Sequence, residues 1–333
     1  MTTVYKVPLD IPLIGAVQFG IIDRGTNVVQ VRPSTACPLS CIFCSTDAGP
    51  RTTARNAEYI VELEHILDWF GRVARTKGRG VEAHIDTVGD PLVYPRIADL
   101  VQDLASTSGV ETVSLQTHGH LLSESLIDGL AAAGLSRINL SVDALDPQLA
   151  RELAGTPSYD VERVLDMAKY AIESAKIDLL LAPVWVNPLN TSELDGFVSL
   201  AKSLGAGKRC PPLGIQKCER HRFGRKDRRI NYLSWYSFYE SLRGLGSKHG
   251  INLILRPSDF GIRKAGRMRI PYTQGEKLKV TAVGPGWLKG ETLAVDWKEE
   301  RLITVVGTEA PPGEEMFVRL LRVKDNIFVA RTV

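Results

Sequence analysis

Apolar and polar positions follow two different rhythms along this chain, and the change falls near residue 271. Before it, short apolar runs of strand type alternate with stretches whose apolar residues recur every three or four positions. Residues 17–32 (VQFGIIDRGTNVVQVR) hold two strand-like runs around Asp23-Arg24-Gly25-Thr26-Asn27, a hairpin pattern. The spacing of Ile60, Leu63, Ile66, Leu67, Phe70 and Val73 predicts a helix over 57–75. Further strands are predicted over 82–88, 112–116, 137–142, 178–186, 213–216 and 251–255. Helices are predicted between them over 96–105, 123–133, 161–174, 194–204 and 233–249, with Gly134 and Gly205 as stops. Repeated strand–helix units of this kind predict a parallel sheet with right-handed crossovers, open or closed into a barrel.

After residue 271 no long helical period remains. Short strands are predicted over 277–283, 292–296, 302–306, 315–323 and 327–332, separated by Gly284-Pro285-Gly286, Gly307 and Pro311-Pro312-Gly313. That pattern predicts a small all-β, OB-like barrel. The chain therefore reads as an N-terminal β-hairpin extension (1–30), an α/β domain (31–270) and a small β-barrel (271–333).

Composition narrows the class. With 333 residues, 44% hydrophobic and 24% charged, the chain can bury a large core, which excludes a disordered chain or a small disulfide-stapled fragment. An apolar run such as 179–186 (LLLAPVWV) falls well short of the roughly 18–20 residues a bilayer span needs. The N-terminus has a weak positive start, an internal Asp10 and no clear cleavage site, so no signal peptide is expected. Five cysteines, three of them within eight residues, make a poor disulfide framework and a good metal-ligand cluster. A reducing, cytoplasmic setting without membrane attachment follows.

The cluster reads Cys37-Pro-Leu-Ser-Cys41-Ile-Phe-Cys44. Three thiolates at this spacing fit on one loop and can reach one centre, and soft thiolates suit zinc or an iron–sulfur cluster. Zinc needs a fourth ligand from elsewhere; a four-iron cluster can leave one iron open.

At these residues the sequence resembles the radical S-adenosylmethionine (SAM) superfamily. The C-x3-C-x2-C loop with Phe43 before its last cysteine follows a first strand at 28–31, as in that family. Further similarities follow in order. Gly89-Asp90-Pro91 resembles the family's Gly-Gly-Glu-Pro segment, with Val88 and Asp90 departing from its first Gly and its Glu. Thr117-His118-Gly119 resembles its Thr-Asn-Gly, and Ser141-Val142-Asp143-Ala144 its Ser-x-Asp-Gly/Ala. Pro183-Val184 through Asn190 resembles the fifth-strand segment, and Gly214-Ile215-Gln216 sits where the sixth strand meets adenine.

The resemblance implies a partial (β/α)6 TIM-like barrel of the radical SAM type. It implies that Cys37, Cys41 and Cys44 hold a [4Fe–4S] cluster, that SAM chelates the open iron, and that one electron cleaves SAM to a 5′-deoxyadenosyl radical. An electron donor such as a ferredoxin or flavodoxin is then required. By position, the backbone at Gly89–Asp90 meets the SAM amino group. Ser141 and Asp143 lie at the ribose or carboxylate, Thr117 is a further cofactor contact, and Phe43, Val184, Ile215 and Gln216 surround the adenine. Segment 275–333 resembles a TRAM domain, a small OB-like barrel found on RNA-modifying enzymes, and the whole layout resembles archaeal Fe–S oxidoreductases of this class. Trp287 or Trp297 is either a base-stacking ring or core.

Several residues stand outside that set. Cys210 and Cys218 form a possible second redox or ligand site, or are two inert thiols. Cys218 with His221 is a further zinc-ligand reading. Glu82, His84 and Asp86 share one strand face, as substrate contacts or as a satisfied polar cluster. Residues 208–229 carry nine basic residues against two acidic ones, in a chain that nets +3. Lys208, Arg209, Arg222, Arg225, Lys226, Arg228 and Arg229 are its candidate RNA contacts, with Arg263, Lys264, Arg267 and Arg269 as a second cluster. The alternative is a solvated charged loop. The leading functional expectation is modification of a nucleoside in tRNA or another structured RNA. Two others are maturation of a protein, peptide or cofactor, and RNA binding around a structural cluster.

Overall fold

The computed structural model describes residues 3–333, which divide into two compact units. One comprises Met1–Ala36, Thr52–Val113 and Lys264–Val333; the other comprises Cys37–Arg51 and Ser114–Arg263.

In the first unit β1 (Thr3–Lys6), β2 (Gly20–Asp23), β3 (Val28–Arg32) and β4 (Ala57–Ile60) precede helix α1 (Leu63–Lys77), and β5 (Val81–Ile85) and α2 (Ile97–Ser106) follow it. The expected hairpin forms: β2 and β3 pair antiparallel with Ile21 opposite Val31, and β3 pairs in parallel with β5. Val29, Val31, Ala83 and Ile85 are fully buried, so their apolar face fixes this register. The helix predicted from 57 starts at Leu63 instead. Ala57–Ile60 is a strand paired in parallel with β1, whose four side chains are all exposed. Ile66, Phe70, Val73 and Ala74 form the buried stripe of α1.

The second unit takes up the strand–helix alternation. It runs β6 (Val110–Thr117), α3 (Glu124–Ala132), β7 (Arg137–Leu140), α4 (Pro147–Ala154), α5 (Val161–Glu173), β8 (Asp178–Leu181), β9 (Val184–Trp185), α6 (Leu194–Ser203), β10 (Gln216–Lys217) and α7 (Trp235–His249). From Ser114 onward β6, β7 and β8 are parallel neighbours. Every residue of β7 and β8 is buried, as expected of strands covered on both faces. Side-chain caps set the helix starts: Ser123 accepts from Leu126 N at 3.3 Å, Asp146 from Leu149 N at 2.7 Å, Asp160 from Arg163 N at 3.1 Å and Ser234 from Ser237 N at 3.0 Å. The strand expected over 178–186 is interrupted at Ala182-Pro183, where proline supplies no ladder donor. The one expected over 251–255 is irregular backbone.

The chain returns to the first unit with β11 (Lys277–Pro285), β12 (Glu291–Asp296), β13 (Leu302–Val306), β14 (Glu315–Arg322) and β15 (Val329–Thr332). They close into a barrel in the order β11-β12-β13-β15-β14, consistent with an OB-like domain. Inward residues Leu278, Val280, Ile303, Val305, Val318 and Phe328 fill it. Backbone bonds tie it to the rest of its unit: Leu302 N donates to Ile14 O at 2.8 Å, Phe328 N to Gly15 O at 2.9 Å and Asn56 N to Trp287 O at 2.8 Å. Trp287 is core, 8% exposed against Val88 and Leu288, whereas Trp297 is 65% exposed. Among the described residues no helix is long and apolar enough to cross a membrane.

Candidate functional site

The cysteine loop is held from three sides within its unit. Cys44 N donates to Cys41 O at 3.1 Å, and Ala48 N donates to the Cys44 Sγ at 3.2 Å, closing a tight turn. Gly49 has φ +91°, and a β-carbon there would run into the Leu39 carbonyl oxygen, so the turn needs glycine. The last carbonyls of α4 accept from the loop: Ser40 N to Ala154 O and Ile42 N to Leu153 O, both at 3.0 Å. These bonds satisfy helix-end acceptors and fix the loop at once.

Arg225 provides the third side. Its backbone N donates to Cys44 O at 2.8 Å, its guanidinium donates to the carbonyls of Cys41 and Ala48, and its Nε lies 2.9 Å from Asp47 Oδ1. Gly224 passes so close to the Cys44 and Ser45 backbone that a β-carbon would sit about 3 Å from both carbonyl oxygens. Arg225, expected among the RNA contacts, is therefore committed to the cysteine loop.

The three thiols lie within electrostatic reach of one another. The Cys41 thiol is pushed well above its ordinary value, first by burial and then by Cys37, Cys44 and Asp143, with Arg225 opposing. Thiolates stacked against a carboxylate in a buried loop call for a cationic centre to neutralise them. A four-iron cluster takes one thiolate per iron at separate corners, so the donor set fits that group.

The other expected SAM contacts in this unit are tied to each other. Asp143 Oδ1 accepts from Val184 N at 2.7 Å, and its Oδ2 stands 3.8 Å from His118 Nδ1. Burial raises the Asp143 carboxyl, with His118 opposing. The fully buried Asn190 donates to Asp143 O and Val184 O and accepts from Val186 N, joining the ends of β7 and β9. Ser141 Oγ accepts from the Gln116 amide at 2.7 Å, and Thr117 Oγ1 accepts from Gly119 N at 3.0 Å. Val184 pairs in register with Gln216, whose side-chain amide donates to Ala182 O at 2.9 Å. Phe43 and Ile215 are each 9% exposed.

In the first unit the Gly89–Asp90 segment is pinned beside residues 34–36. Asp90 N donates to Ala36 O at 2.9 Å, and a β-carbon on Gly89 would overlap that same carbonyl. The Asp90 carboxylate caps the following turn by accepting from Leu92 N at 3.0 Å. Arg55, which the sequence did not single out, holds the neighbourhood. Its guanidinium donates to Thr35 O, both Glu58 oxygens and Val88 O, and lies over the Trp287 ring at 4.9 Å. The Glu82, His84, Asp86 face is a satisfied polar cluster at Asp86, which accepts from Arg32 and Gln30 at 2.8–3.1 Å.

Cys210 and Cys218 have different surroundings on one segment. Cys210 packs with Leu180, Ala182 and Phe260, its Sγ 3.8 Å from Asp178 at the start of β8. Cys218 follows Lys217, which pairs with Trp185 at the end of β9. Burial pushes the Cys218 thiol up to about 11. The basic run splits in the same way. Lys208 and Arg209 are exposed next to Asp178, whose carboxylate accepts from both their backbone N atoms. Arg222, Lys226 and Arg228 are exposed in the loop leading to α7, and Arg229 is paired with Asp227 and Glu152.

The pattern of the Radical SAM superfamily matches residues 31–200 of this chain. The protein named Uncharacterized protein MJ0103 of Methanocaldococcus jannaschii is 38% identical over 345 aligned positions, covering 97% of this chain and 79% of that one. The GTP 3′,8-cyclase of Chlorobaculum tepidum is 29% identical over 180 residues, covering 54% of this chain and 51% of that enzyme. The chain thus spans about half of that relative. A solved structure of native anSMEcpe with bound AdoMet and Cp18Cys peptide shares the fold at a TM-score of 0.51 and 16% identity, over 68% of this chain and 62% of that one.

Proposed function

Because this chain belongs to the radical SAM superfamily, whose members use a [4Fe–4S] cluster and SAM, we propose that it modifies a nucleoside in tRNA or another structured RNA. Bound there, the two cofactors supply one-electron reductive cleavage of SAM and, with it, hydrogen abstraction from an unreactive C–H bond. Cys37, Cys41 and Cys44 would hold the cluster, and Arg225 orients their loop through three backbone carbonyls. Gly89 lets its own strand end pack against the backbone of residues 35–36, where a β-carbon would overlap the Ala36 carbonyl. Phe43, Val184 and Ile215 supply apolar surface that excludes water. An electron donor of ferredoxin or flavodoxin type completes the reading.

One observation carries the RNA assignment. The segment that reaches the cysteine loop through Arg225 turns Arg222, Lys226 and Arg228 to solvent, so positive charge lies on the same few residues that anchor the loop. Such charge serves phosphate contacts and makes binding salt-dependent. The closed five-stranded barrel supports the same reading as a TRAM-like appendage, with Trp297 exposed on it. The test is mass spectrometry of total tRNA nucleosides from a deletion strain. Loss of one modified nucleoside, restored by the intact gene and not by a Cys41→Ala copy, is expected; an unchanged nucleoside profile overturns the proposal.

The second reading, action on a small molecule in place of RNA, is favoured by a relative named GTP 3′,8-cyclase. Under it the deletion strain keeps its tRNA nucleosides and loses a small-molecule product.

A further inference from the structure

Helix α7 buries a narrow stripe, Phe238, Leu242 and Gly246. Trp235, Tyr236 and Tyr239 lie off that stripe and are 52%, 74% and 38% exposed. Packing explains none of this exposure, because Tyr236 is two positions from Phe238 and faces away from the buried side. Two of the rings are nonetheless fixed. Trp235 stacks on Tyr239 at 5.6 Å and 24°, meets the edge of Phe238 at 5.9 Å, and carries the Lys217 ammonium 4.9 Å from its ring centroid. The loop leading into this helix exposes Arg220, Arg222, Lys226 and Arg228, with Glu219 as its exposed acid.

We propose that the exposed rings of Trp235 and Tyr236, with the basic loop 217–229, form a binding platform for an unpaired stretch of RNA. The proposal rests on the RNA reading above and names the part of the RNA that is held. Flat aromatic faces beside cations match successive nucleobases on a phosphate chain, and a ring already ordered by its neighbours loses little freedom on binding. Double-helical RNA hides the base faces that such rings need, so the fitting partner is a loop or a single strand. A second copy of the same face would bring like charges together. An anionic membrane would meet the same exposed rings, with Phe223 42% exposed in the loop, and is therefore an outcome that the test separates.

The test is fluorescence anisotropy of the full-length protein with three probes: a short unstructured RNA, the same sequence as a duplex, and vesicles containing anionic lipid. Tyr236→Ala places the best helix former at an exposed site, so the helix is kept. Trp235→Phe keeps a stacking ring where Trp235→Ala removes it. The expected result is preference for the single strand and a loss of about tenfold in its affinity per ring removed, with Trp235→Phe close to wild type. Unchanged single-strand affinity in Trp235→Ala/Tyr236→Ala overturns the platform and leaves the RNA reading standing. A wild-type protein that binds neither RNA probe, or binds only the vesicles, overturns the platform, and the RNA reading itself falls only with an unchanged nucleoside profile in the deletion strain.

Discussion

Arg225 and Asp47 form an ion pair of 2.9 Å across 178 positions of sequence, with their side chains 15% and 3% exposed. Asp47 sits in the cysteine loop at φ +50°, and Arg225 also donates to the loop carbonyls of Cys41 and Ala48. The planar guanidinium is what allows one side chain to meet a carboxylate and two carbonyls together.

Arg225→Ala should take away the ion-pair partner of the buried Asp47 carboxylate and the guanidinium donor to two loop carbonyls, at a cost of about 3–5 kcal/mol. Purified anaerobically, it should carry less iron per chain and absorb more weakly in the blue than wild type. Arg225→Lys should recover only part of both signals, because an ammonium keeps the charge and loses the fork. Full iron content in Arg225→Ala would show that the loop holds its shape without the clamp.

The remaining cysteines should separate from the loop by what their removal does to the cluster. A thiol pushed up to about 11 stays protonated at neutral pH, and the thiolate is the nucleophile. In iron-free protein, iodoacetamide should therefore modify Cys218 only as the pH approaches that value. Cys210→Ala and Cys218→Ala should each retain the cluster absorbance, whereas Cys37→Ala, Cys41→Ala or Cys44→Ala should abolish it. Loss of absorbance in Cys218→Ala would return it to the ligand set.

Local pattern revealed what local physics decides. The β2–β3 hairpin, the caps Ser123 and Ser234 and the five barrel strands follow from alternation and turn residues within a few positions. Helix α4 lies outside the expected elements, although Asp146-Pro147 and Gly155 are a cap, a first-turn proline and a stop. Two errors came from competing periods. Ile60 continues the apolar spacing of α1 although Ala57–Ile60 is a strand, while the alternating Ile251–Leu255 joins no strand among the described residues. The roles of Arg55 and Arg225 are set by partners whose positions depend on the folded chain, and no spacing encodes them.

Asp86 should make stability depend on pH. Burial pushes its carboxyl up, but the Arg32 charge and hydrogen bonds outweigh that, and the carboxyl ends below its ordinary value. A lowered folded value means the contribution is complete above the unfolded carboxyl pKa of about 3.9 and is lost as the pH falls through the folded one. At neutral pH Asp86→Asn, which leaves the Arg32 guanidinium unpaired, should cost about 3–5 kcal/mol in urea unfolding. The gap to wild type should narrow below about pH 4. A gap that stays constant down to acid unfolding would mean the pair contributes nothing through its charge.

The division of the basic run gives a comparison internal to the chain. Lys208 and Arg209 flank Asp178 at the start of β8, whereas Arg222, Lys226 and Arg228 belong to the loop anchored on the cysteines. Only the second group shares its loop with Arg225. Neutralising Arg222, Lys226 and Arg228 together, with Arg225 kept, should weaken tRNA binding across all sequences. It should also flatten the plot of log affinity against log salt by roughly 0.7–0.9 per lost phosphate contact. Neutralising Lys208 and Arg209 should leave the slope near the wild-type value. Equal slopes for both variants would mean that the charge acts through the net field of the protein and not through contacts at the cysteine loop.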